Sequence, residues 1–570
     1  MPDRLSGTTQ GFAPDPDAAP HPDAAPHPGT APDHDVLIIG AGFAGLYQLH
    51  RLRELGHDAR IIEAGDDVGG TWYWNRYPGA RCDIESVEYS YSFDPELQDE
   101  WDWSERYAAQ PELLAYAQHV ADRYGLREDI TFGTRVERLD WDDEAGRWTV
   151  TTDDGASRTA RYVIAATGCL SVPSRPEFEG LTDFAGEVYR TSRWPHEGVD
   201  LTGKRVAVIG TGSSGLQTIT AIAPVVGELT VFQRTPSYAV PAHNGPNAQR
   251  LADARKRYSE IREHSRMSRT GFGCPEGTLL LADTPAEEAR REFDTRWADG
   301  GLCFSSAFKD ILRDARANEI AAEYVRDRIR AKVEDPQLAE KLSPRTYPIA
   351  SKRMCVDTGY FEVYNQPNVS LVDLNEQPIR RITERGIVTG VTGEAGKAGE
   401  ADDEREHACD VIVLATGFDA MTGALTAMDI RGTGPTLREK WAHGPRTYLG
   451  LMSAGFPNLF TITGPQSPSV LSNMMTSIEY HVDWITRALE HLRAHGLHRM
   501  EAAPEAEDNW VNTTNDLAAR TLMPQAASWY MGANIPGKQR VFMPFIGGVG
   551  TYRQIGDGVA TAHYHGFELA

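Results

Sequence analysis

Two glycine-rich turns, each between an apolar strand and a helix, constrain the fold of this chain more than any other feature. The first unit starts at Asp35 and reads DVLIIG, AGFAGLYQLHRLRELG and HDARIIEAG; the second starts at Lys204 and reads KRVAVIGTGSSGLQTITAIAPVVGELTVFQRT. A continuous apolar strand, a helix and a second apolar strand form the β-α-β unit of a parallel sheet. The sequence therefore predicts an α/β fold with two Rossmann-like dinucleotide-binding domains.

The first glycine turn has the spacing that holds a pyrophosphate. Gly40, Gly42 and Gly45 follow the strand directly, and such glycines allow the tight bend, the approach of a phosphate to the backbone and close packing of helix on strand. Glu63 ends the next strand, 18 residues after Gly45, where a carboxylate accepts hydrogen bonds from ribose hydroxyls. A purely structural glycine turn is the alternative. The acid at the strand end favours a nucleotide site.

The second glycine turn predicts a different nucleotide. Gly210, Gly212 and Gly215 repeat the spacing, but the strand that follows ends in Gln-Arg-Thr, with Arg234 and Thr235 and no acid. A carboxylate there would repel a 2′-phosphate, whereas an arginine can pair with it. We therefore expect this site to prefer NADP over NAD. The alternative for Arg234 is a solvated surface charge.

Composition disfavours several other classes of protein. The chain has 570 residues with 57 Lys and Arg against 81 Asp and Glu, a net charge of −24, which opposes binding to nucleic-acid phosphates. No apolar run approaches the roughly 18 residues that span a bilayer, and the N-terminus lacks the apolar core of a signal peptide. We therefore expect a cytoplasmic protein without membrane contact. The six cysteines lie far apart and the 17 histidines show no ligand spacing, so we expect reduced thiols and no metal.

Residues 70–83, which read GTWYWNRYPGARCD, carry a more specific signal. Together with YVIAATG ending at Gly168 and DVIVLATG ending at Gly417, the two glycine turns resemble those of flavoprotein monooxygenases that use FAD and NADPH. Within that class, residues 70–83 are similar to the long Gly-x-Trp…Pro-Gly…Asp fingerprint of type I Baeyer–Villiger monooxygenases. The similarity runs from about Asp35 to the end and is greatest to the phenylacetone, steroid and large-ring ketone members.

A second fingerprint of that family, Phe-x-Gly-x3-His-x3-Trp-Pro, corresponds to residues 184–195. Every fixed position matches except the histidine, which is Arg190 here. In the family this segment links the two nucleotide domains. An arginine is always charged and cannot titrate near neutral pH as a histidine can, so the difference bears on coupling between hydride transfer and oxygenation.

The resemblance implies how the domains divide. Residues 1–33, rich in Pro, Ala and Asp, are expected to be a disordered tail. Residues 34–170 and 408–570 are expected to form the FAD-binding domain, assembled from both ends of the chain. Residues 171–407 are expected to form the NADPH-binding domain, with a helical insertion at about 248–333.

The resemblance also implies catalytic residues. Lys352-Arg353 matches the family's Lys-Arg pair, whose arginine lies over the flavin and whose lysine contacts the nicotinamide cofactor. Asp83 matches the carboxylate that holds that arginine. Oxygen transfer to a carbonyl generates negative charge on oxygen, which a fixed cation in a dry site stabilises. Arg353 and Asp83 are therefore predicted to be catalytic, although without the resemblance they would be read as a structural ion pair.

Other positions are implied to contact cofactor or substrate. Trp72 in the first fingerprint and Trp529 in SWYMGANIPGK are expected to contact cofactor, although a buried anchor is an alternative for Trp529. The residues implied to line the substrate pocket, which could equally be core, are Ile84, Cys169, Leu170, Ser469, Val470 and Leu471.

The implied reaction is the insertion of one oxygen atom of O2 beside the carbonyl of a ketone, with NADPH consumed and an ester or lactone formed. Two alternatives stay open. One is a flavin monooxygenase that oxygenates heteroatoms. The other, raised by Arg190, is an NADPH oxidase or redox protein that no longer couples reduction to oxygenation.

Overall fold

The structure, a computed structural model, describes residues 31–390 and 404–570. The predicted tail at 1–33 lies outside the described residues except for its last three positions. Within the described ranges the chain alternates strands and helices and forms two large, mainly parallel sheets. The predicted α/β class with two Rossmann-like units is confirmed.

Strands are numbered in chain order. They are β1 (His34–Ile39), β2 (Ala59–Ile62), β3 (Ile130–Thr131), β4 (Val136–Asp142), β5 (Arg147–Thr152), β6 (Ser157–Ala165), β7 (Glu187–Arg190), β8 (Arg205–Ile209), β9 (Glu228–Gln233), β10 (Ala239–Pro241), β11 (Cys355–Asp357), β12 (Val369–Asp373), β13 (Ile379–Ile382), β14 (Gly386–Gly390), β15 (Glu404–Ala408), β16 (Val411–Leu414), β17 (Asp429–Arg431), β18 (Leu459–Thr461), β19 (Met500–Ala502) and β20 (Phe567–Leu569).

Helices are numbered in the same way. They are α1 (Phe43–Glu54), α2 (Thr71–Trp74), α3 (Pro95–Glu100), α4 (Gln110–Arg123), α5 (Ser213–Ile222), α6 (Ala248–Arg255), α7 (Tyr258–Met267), α8 (Ala286–Asp299), α9 (Ala315–Lys332), α10 (Pro336–Leu342), α11 (Gly423–Ala427), α12 (Leu437–Lys440), α13 (Met474–Ala494), α14 (Pro504–Ala519) and α15 (Val549–Thr561).

The first sheet contains strands from both ends of the chain. Its order is β17-β4-β5-β6-β1-β2-β3, and β18 also pairs with β6. β1 is apolar and almost fully buried, as expected of a parallel strand covered on both faces. Helix α13 packs on α1, where Tyr47 donates a hydrogen bond to Asp483 at 2.8 Å. Distant segments thus complete the sheet that carries the first glycine turn.

The second sheet is parallel throughout, in the order β12-β9-β8-β16-β7. Strand β16 pairs with β8 from Val411↔Val206 to Leu414↔Ile209. The predicted domain boundary between residues 407 and 408 differs from this pairing, because it assigns β16 to the first nucleotide domain. Helices α6–α9 occupy the region of the predicted insertion, and no strand lies in that fully described range.

The cysteines differ from expectation at one place. Cys274 and Cys303 are joined in a disulfide, with their Cα atoms 5.3 Å apart. The expectation of six reduced thiols is wrong for this pair, because the helical insertion brings together residues whose sequence spacing gives no signal. Cys82, Cys169, Cys355 and Cys409 are free and buried. Across residues 31–390 and 404–570, no helix combines the length and apolarity needed to cross a membrane, and no cluster of three potential metal ligands occurs.

Candidate active site

The first glycine turn is closed by backbone contacts that only glycine permits. Gly40 has φ +106°, and a Cβ at Gly45 would lie 1.9 Å from the carbonyl oxygen of Gly40. A Cβ at Gly70 would lie 2.8 Å from the Cα of Gly42. The start of the first fingerprint therefore lies directly against the glycine turn. Bare backbone on both sides suits the phosphates of a dinucleotide.

Glu63 lies beside this turn, as predicted. Its two carboxylate oxygens accept hydrogen bonds from the backbone N–H groups of Ala41 and Gly65, each at 2.7 Å. Burial raises the pKa of Glu63, although these hydrogen bonds partly offset the effect. Each carboxylate oxygen has a further lone pair, so Glu63 can also accept from a ribose hydroxyl.

The second glycine turn has the same backbone conformation, but there is more space at its middle glycine. Gly210 has φ +110°, and a Cβ at Gly215 would lie 2.1 Å from the carbonyl oxygen of Gly210. By contrast, a Cβ at Gly212 would meet no atom within 4 Å. Gly40, Gly45, Gly210 and Gly215 are thus required by the turn itself, whereas Gly212 leaves space for a ligand.

Arg234 and Lys352 form an unpaired positive site beside the second turn. Arg234 directly follows β9, and the carbonyl of the next residue, Thr235, accepts from the Thr211 hydroxyl at 3.0 Å. Lys352 Nζ lies 4.5 Å from the centre of the Tyr347 ring. Burial, with a contribution from the charge of Arg234, lowers the pKa of Lys352 to about 8. Within the described part of the chain neither cation has an acidic partner, an arrangement that attracts an anionic ligand.

Arg353 and Asp83 are 270 positions apart in sequence and form a bidentate ion pair. Arg353 Nε and Nη2 donate to the carboxylate of Asp83 at 2.9 and 2.6 Å, and Nη1 donates to the carbonyl oxygen of Val470 at 3.0 Å. Burial alone would lower the pKa of Arg353, but the charge and hydrogen bonds of Asp83 outweigh it and raise the pKa above its usual value. The guanidinium is therefore fixed and permanently charged.

A cluster of apolar side chains lies next to this ion pair. Cys169 and Val470 are buried in it, and Leu170, Leu471 and Trp529 pack against it. Burial raises the pKa of Cys169 to about 11, so its thiol is not a reactive nucleophile. Five of the predicted residues therefore share one location.

Three further predicted residues lie nearby but pack differently. Ser469 is fully buried, and its hydroxyl donates to the carbonyl of Thr463 at 3.2 Å. Ile84 and Trp72 belong to the core under the first sheet, where Trp72 Nε1 donates to the hydroxyl of Tyr89 at 3.3 Å. The structure thus places Ile84 and Trp72 in core packing rather than in the apolar cluster around Cys169.

Sequence reasoning missed several residues of this site. Tyr530 is only 2% exposed and lies within the cluster that contains Cys169 and Val470. The segment that carries Tyr530 is tied to the end of the second sheet by an ion pair between Lys538 and Asp419 and by a hydrogen bond from Asn534 Nδ2 to the carbonyl of Phe418 at 2.7 Å. The motif containing Trp529 pointed to this segment, but not to these contacts.

Arg190, which replaces the fingerprint histidine, ends the edge strand β7 opposite Leu414. Burial and the charge of Arg175 lower its pKa. Trp194 of the same fingerprint is buried in the core under the second sheet. Arg190 thus lies at the edge of the second sheet, and it makes no contact with Asp83 or Arg353 among the described interactions.

Two glycine turns, one beside an acid and one beside two cations, define a two-dinucleotide oxidoreductase, and the Asp83–Arg353 pair lies next to an apolar cluster. Residues 37–269 match the family profile described as pyridine nucleotide-disulphide oxidoreductase. The chain is 42% identical to a Baeyer-Villiger monooxygenase of Pseudooceanicola batsensis over 91% of this chain and 93% of the relative. It is 41% identical to phenazine N-monooxygenase PhzNO1 of Lysobacter antibioticus over 94% of this chain and 96% of the relative.

A solved structure of oxidized steroid monooxygenase bound to NADP superimposes with a TM-score of 0.88 and 49% identity, covering 94% of this chain and 99% of that chain. The chain belongs to the Baeyer–Villiger monooxygenase family. It is an NADPH-dependent flavoprotein monooxygenase whose cofactors are FAD and NADPH. The family, enzyme class and cofactors predicted from the two fingerprints are confirmed.

Proposed function

We propose that this enzyme converts a ketone, O2, NADPH and a proton into an ester or lactone, NADP+ and water, with Arg353 and Asp83 as its catalytic residues. The observation that carries the proposal is the bidentate Asp83–Arg353 ion pair next to the apolar cluster around Cys169. FAD, reduced by NADPH, supplies the oxygen-transfer chemistry when it is bound. The protein contributes binding, orientation and charge.

Each of the two turns would bind a different cofactor. Gly40, Gly42, Gly45 and Glu63 would hold the pyrophosphate and ribose of FAD, because the turn is bare backbone and the adjacent carboxylate is an acceptor. This assignment supports an FAD domain built from both ends of the chain.

The second turn suits NADPH. Gly210, Gly212 and Gly215 would admit its pyrophosphate, and Arg234 and Lys352 would pair with its 2′-phosphate, because both cations lack an acidic partner in the described ranges. Trp529 would pack near the nicotinamide end, because it packs against the cluster beside Arg353.

Arg353 stabilises the negative charge that develops on oxygen as the new carbon–oxygen bond forms. Its charge is permanent, and Asp83 fixes its orientation before the ketone arrives, so little reorganisation is needed during the reaction. Losing one such preorganised donor typically costs about 100- to 1,000-fold in rate.

The apolar cluster defines the class of substrate. Cys169, Leu170, Val470 and Leu471 offer apolar contacts beside the Asp83–Arg353 pair. Such an apolar surface favours binding of the hydrocarbon part of a ketone and excludes water from the reacting oxygen.

N-oxygenation is the second candidate, because one relative at 41% identity is a phenazine N-monooxygenase. A panel of ketones graded by size, with amine and sulfide substrates beside them, tests both under 18O2 with purified enzyme, FAD and NADPH. We expect one 18O atom in an ester or lactone. N-oxides or sulfoxides without any ester would favour the second candidate, and hydrogen peroxide alone would indicate an uncoupled oxidase.

We also assign the enzyme to the cytoplasm, since its reaction depends on a supply of NADPH. Fractionation of the source cells, followed by an assay for ketone-dependent NADPH oxidation, tests this assignment. Activity in the secreted fraction would contradict it.

A further inference from the structure

Several buried non-glycine residues near the proposed active site have left-handed backbone. Among them are Met421 at φ +67°, Leu449 at +58°, Thr463 at +53°, Gln466 at +68° and Ser469 at +39°. Such conformations cost free energy in residues with a side chain, and most of all in a β-branched residue such as Thr463. They persist where surrounding contacts hold them, and they cluster at functional sites.

His481 supplies contacts that hold two of these positions. Its Nδ1 accepts a hydrogen bond from the backbone N–H of Thr463 at 2.9 Å, and its Nε2 lies 2.9 Å from the hydroxyl of Tyr552. That hydroxyl in turn donates to the carbonyl oxygen of Leu449. Because Nδ1 is the acceptor, the proton is assigned to Nε2, which donates to Tyr552.

The surroundings of His481 keep it neutral. The side chain is fully buried on α13, and burial lowers its pKa to about 3. The rings that lie against it belong to Tyr480 and Tyr552, and no acidic group pairs with it within residues 31–390 and 404–570. The imidazole is therefore a fixed acceptor and donor at neutral pH rather than an acid or base.

Thr463 is connected to the guanidinium of Arg353 by a short chain of contacts. The carbonyl of Thr463 accepts from the Ser469 hydroxyl at 3.2 Å, and the next residue, Val470, presents its carbonyl to Arg353 Nη1 at 3.0 Å. These contacts link the turn at Thr463 to the Val470 carbonyl. Asp83 holds one edge of the guanidinium, and Val470 holds the other.

We infer that His481, supported by Tyr552, is a positioning residue that fixes the left-handed turn at Thr463 and through it the orientation of Arg353. The inference rests on the role proposed above for Arg353. A guanidinium that is free to turn on the Val470 side stabilises the reacting oxygen less well, so reduction by NADPH continues while oxygen is lost as hydrogen peroxide. Without the imidazole, the buried N–H of Thr463 would have no partner, and this would cause the loosening.

The test compares His481→Leu, which removes both hydrogen bonds, with His481→Asn, whose Oδ1 can replace Nδ1 as the acceptor for Thr463. Both are measured as FAD-loaded holoenzyme with NADPH and a ketone that the wild type converts. We expect His481→Leu to lower the ratio of ester to hydrogen peroxide by about tenfold, because the buried N–H of Thr463 loses its partner, while FAD content and the rate of flavin reduction stay at the wild-type level. His481→Asn should recover most of the ratio.

Tyr480→Phe is the matched control, because Tyr480 neighbours His481 on α13 but its hydroxyl donates to the carbonyl of Arg553. A wild-type product ratio in FAD-loaded His481→Leu would overturn the inference and leave His481 a purely structural residue. If His481→Leu does not retain FAD, Tyr552→Phe takes its place with the same expectation of a lowered ratio, and an unchanged ratio there would overturn the inference equally. Failure of the proposed function is distinguishable, since the wild type itself would then yield no ester.

Discussion

The two glycine turns have nearly the same backbone conformation, but the side chains beside them carry opposite charges. In each, a Cβ at the third glycine would lie about 2 Å from the carbonyl of the first, at 1.9 Å for Gly45 and 2.1 Å for Gly215. The strand after the first turn ends at the buried carboxylate of Glu63, whereas the strand after the second ends at Arg234, next to Lys352. The turn itself therefore specifies a dinucleotide, and the charge one strand later specifies which dinucleotide.

The largest effect is expected from a substitution that disrupts the backbone conformation common to the two turns. Gly45→Ala places a Cβ 1.9 Å from the Gly40 carbonyl, where no flexible side chain can give way. We expect the variant to lose FAD and most of its folded yield, as measured by flavin absorbance after purification. Gly558→Ala is the matched control, since it lies in helix α15 with no atom within 4 Å of the new Cβ. It should be neutral or stabilising by about 0.5–1 kcal/mol. Full FAD retention in Gly45→Ala would contradict the account of the turn.

The next effect comes from the charge of the second turn. Arg234→Ala removes a charge-assisted contact to the 2′-phosphate, so kcat/KM for NADPH should fall by about 10- to 100-fold. NADH lacks that phosphate, and its kcat/KM should change by less than about twofold. Steady-state kinetics with both cofactors measures the difference. An equal loss for NADPH and NADH would mean that Arg234 has only a structural role.

A smaller effect on NADPH binding is expected when pH changes the charge of Lys352. Lys352, with a pKa of about 8, is mostly charged at pH 7 and mostly neutral at pH 9 in the free enzyme. Bound 2′-phosphate favours the charged form, so the KM for NADPH should rise several-fold as pH increases through 8. Lys352→Arg keeps its charge over this range and should flatten the profile. A wild-type KM that stays constant from pH 7 to 9 would argue against Lys352 as a ligand of the phosphate.

The smallest effect is expected at Arg190, on the edge strand of the second sheet. Arg190→His restores the fingerprint residue and removes a charge beside Arg175. Arg190 makes no described contact with Asp83 or Arg353, so the ratio of ester to hydrogen peroxide should change by less than about twofold. Quantifying both products gives that ratio. A marked increase would show that the linker, rather than the ion pair, limits coupling.

The glycine turns, Glu63 and Arg234 could be predicted because each depends on a local pattern of strand, turn and helix. The Asp83–Arg353 pair could be expected only through the two family fingerprints, since 270 residues separate its members. Burial could not be read from residue type, so the sequence did not show that Ile84, predicted to line the substrate pocket, and Trp72, predicted to contact cofactor, both pack in the core under the first sheet.

Contacts made by the folding of distant segments left no sequence signal. His481 looks like one more position of an amphipathic helix, and its hydrogen bonds to the Thr463 turn and to Tyr552 exist only once α13 and α15 have packed together. The Cys274–Cys303 disulfide and the place of β16 in the second sheet depend in the same way on topology.

We propose that Arg353 acts on oxygen transfer and not on flavin reduction. Rapid-mixing absorbance of Arg353→Ala tests it most directly, with product analysis of the same reactions. We expect FAD to be reduced by NADPH at a rate within about threefold of the wild type, while ester formation falls by about 100-fold or more and hydrogen peroxide accounts for the NADPH consumed. Ester formation at the wild-type level would contradict the claim.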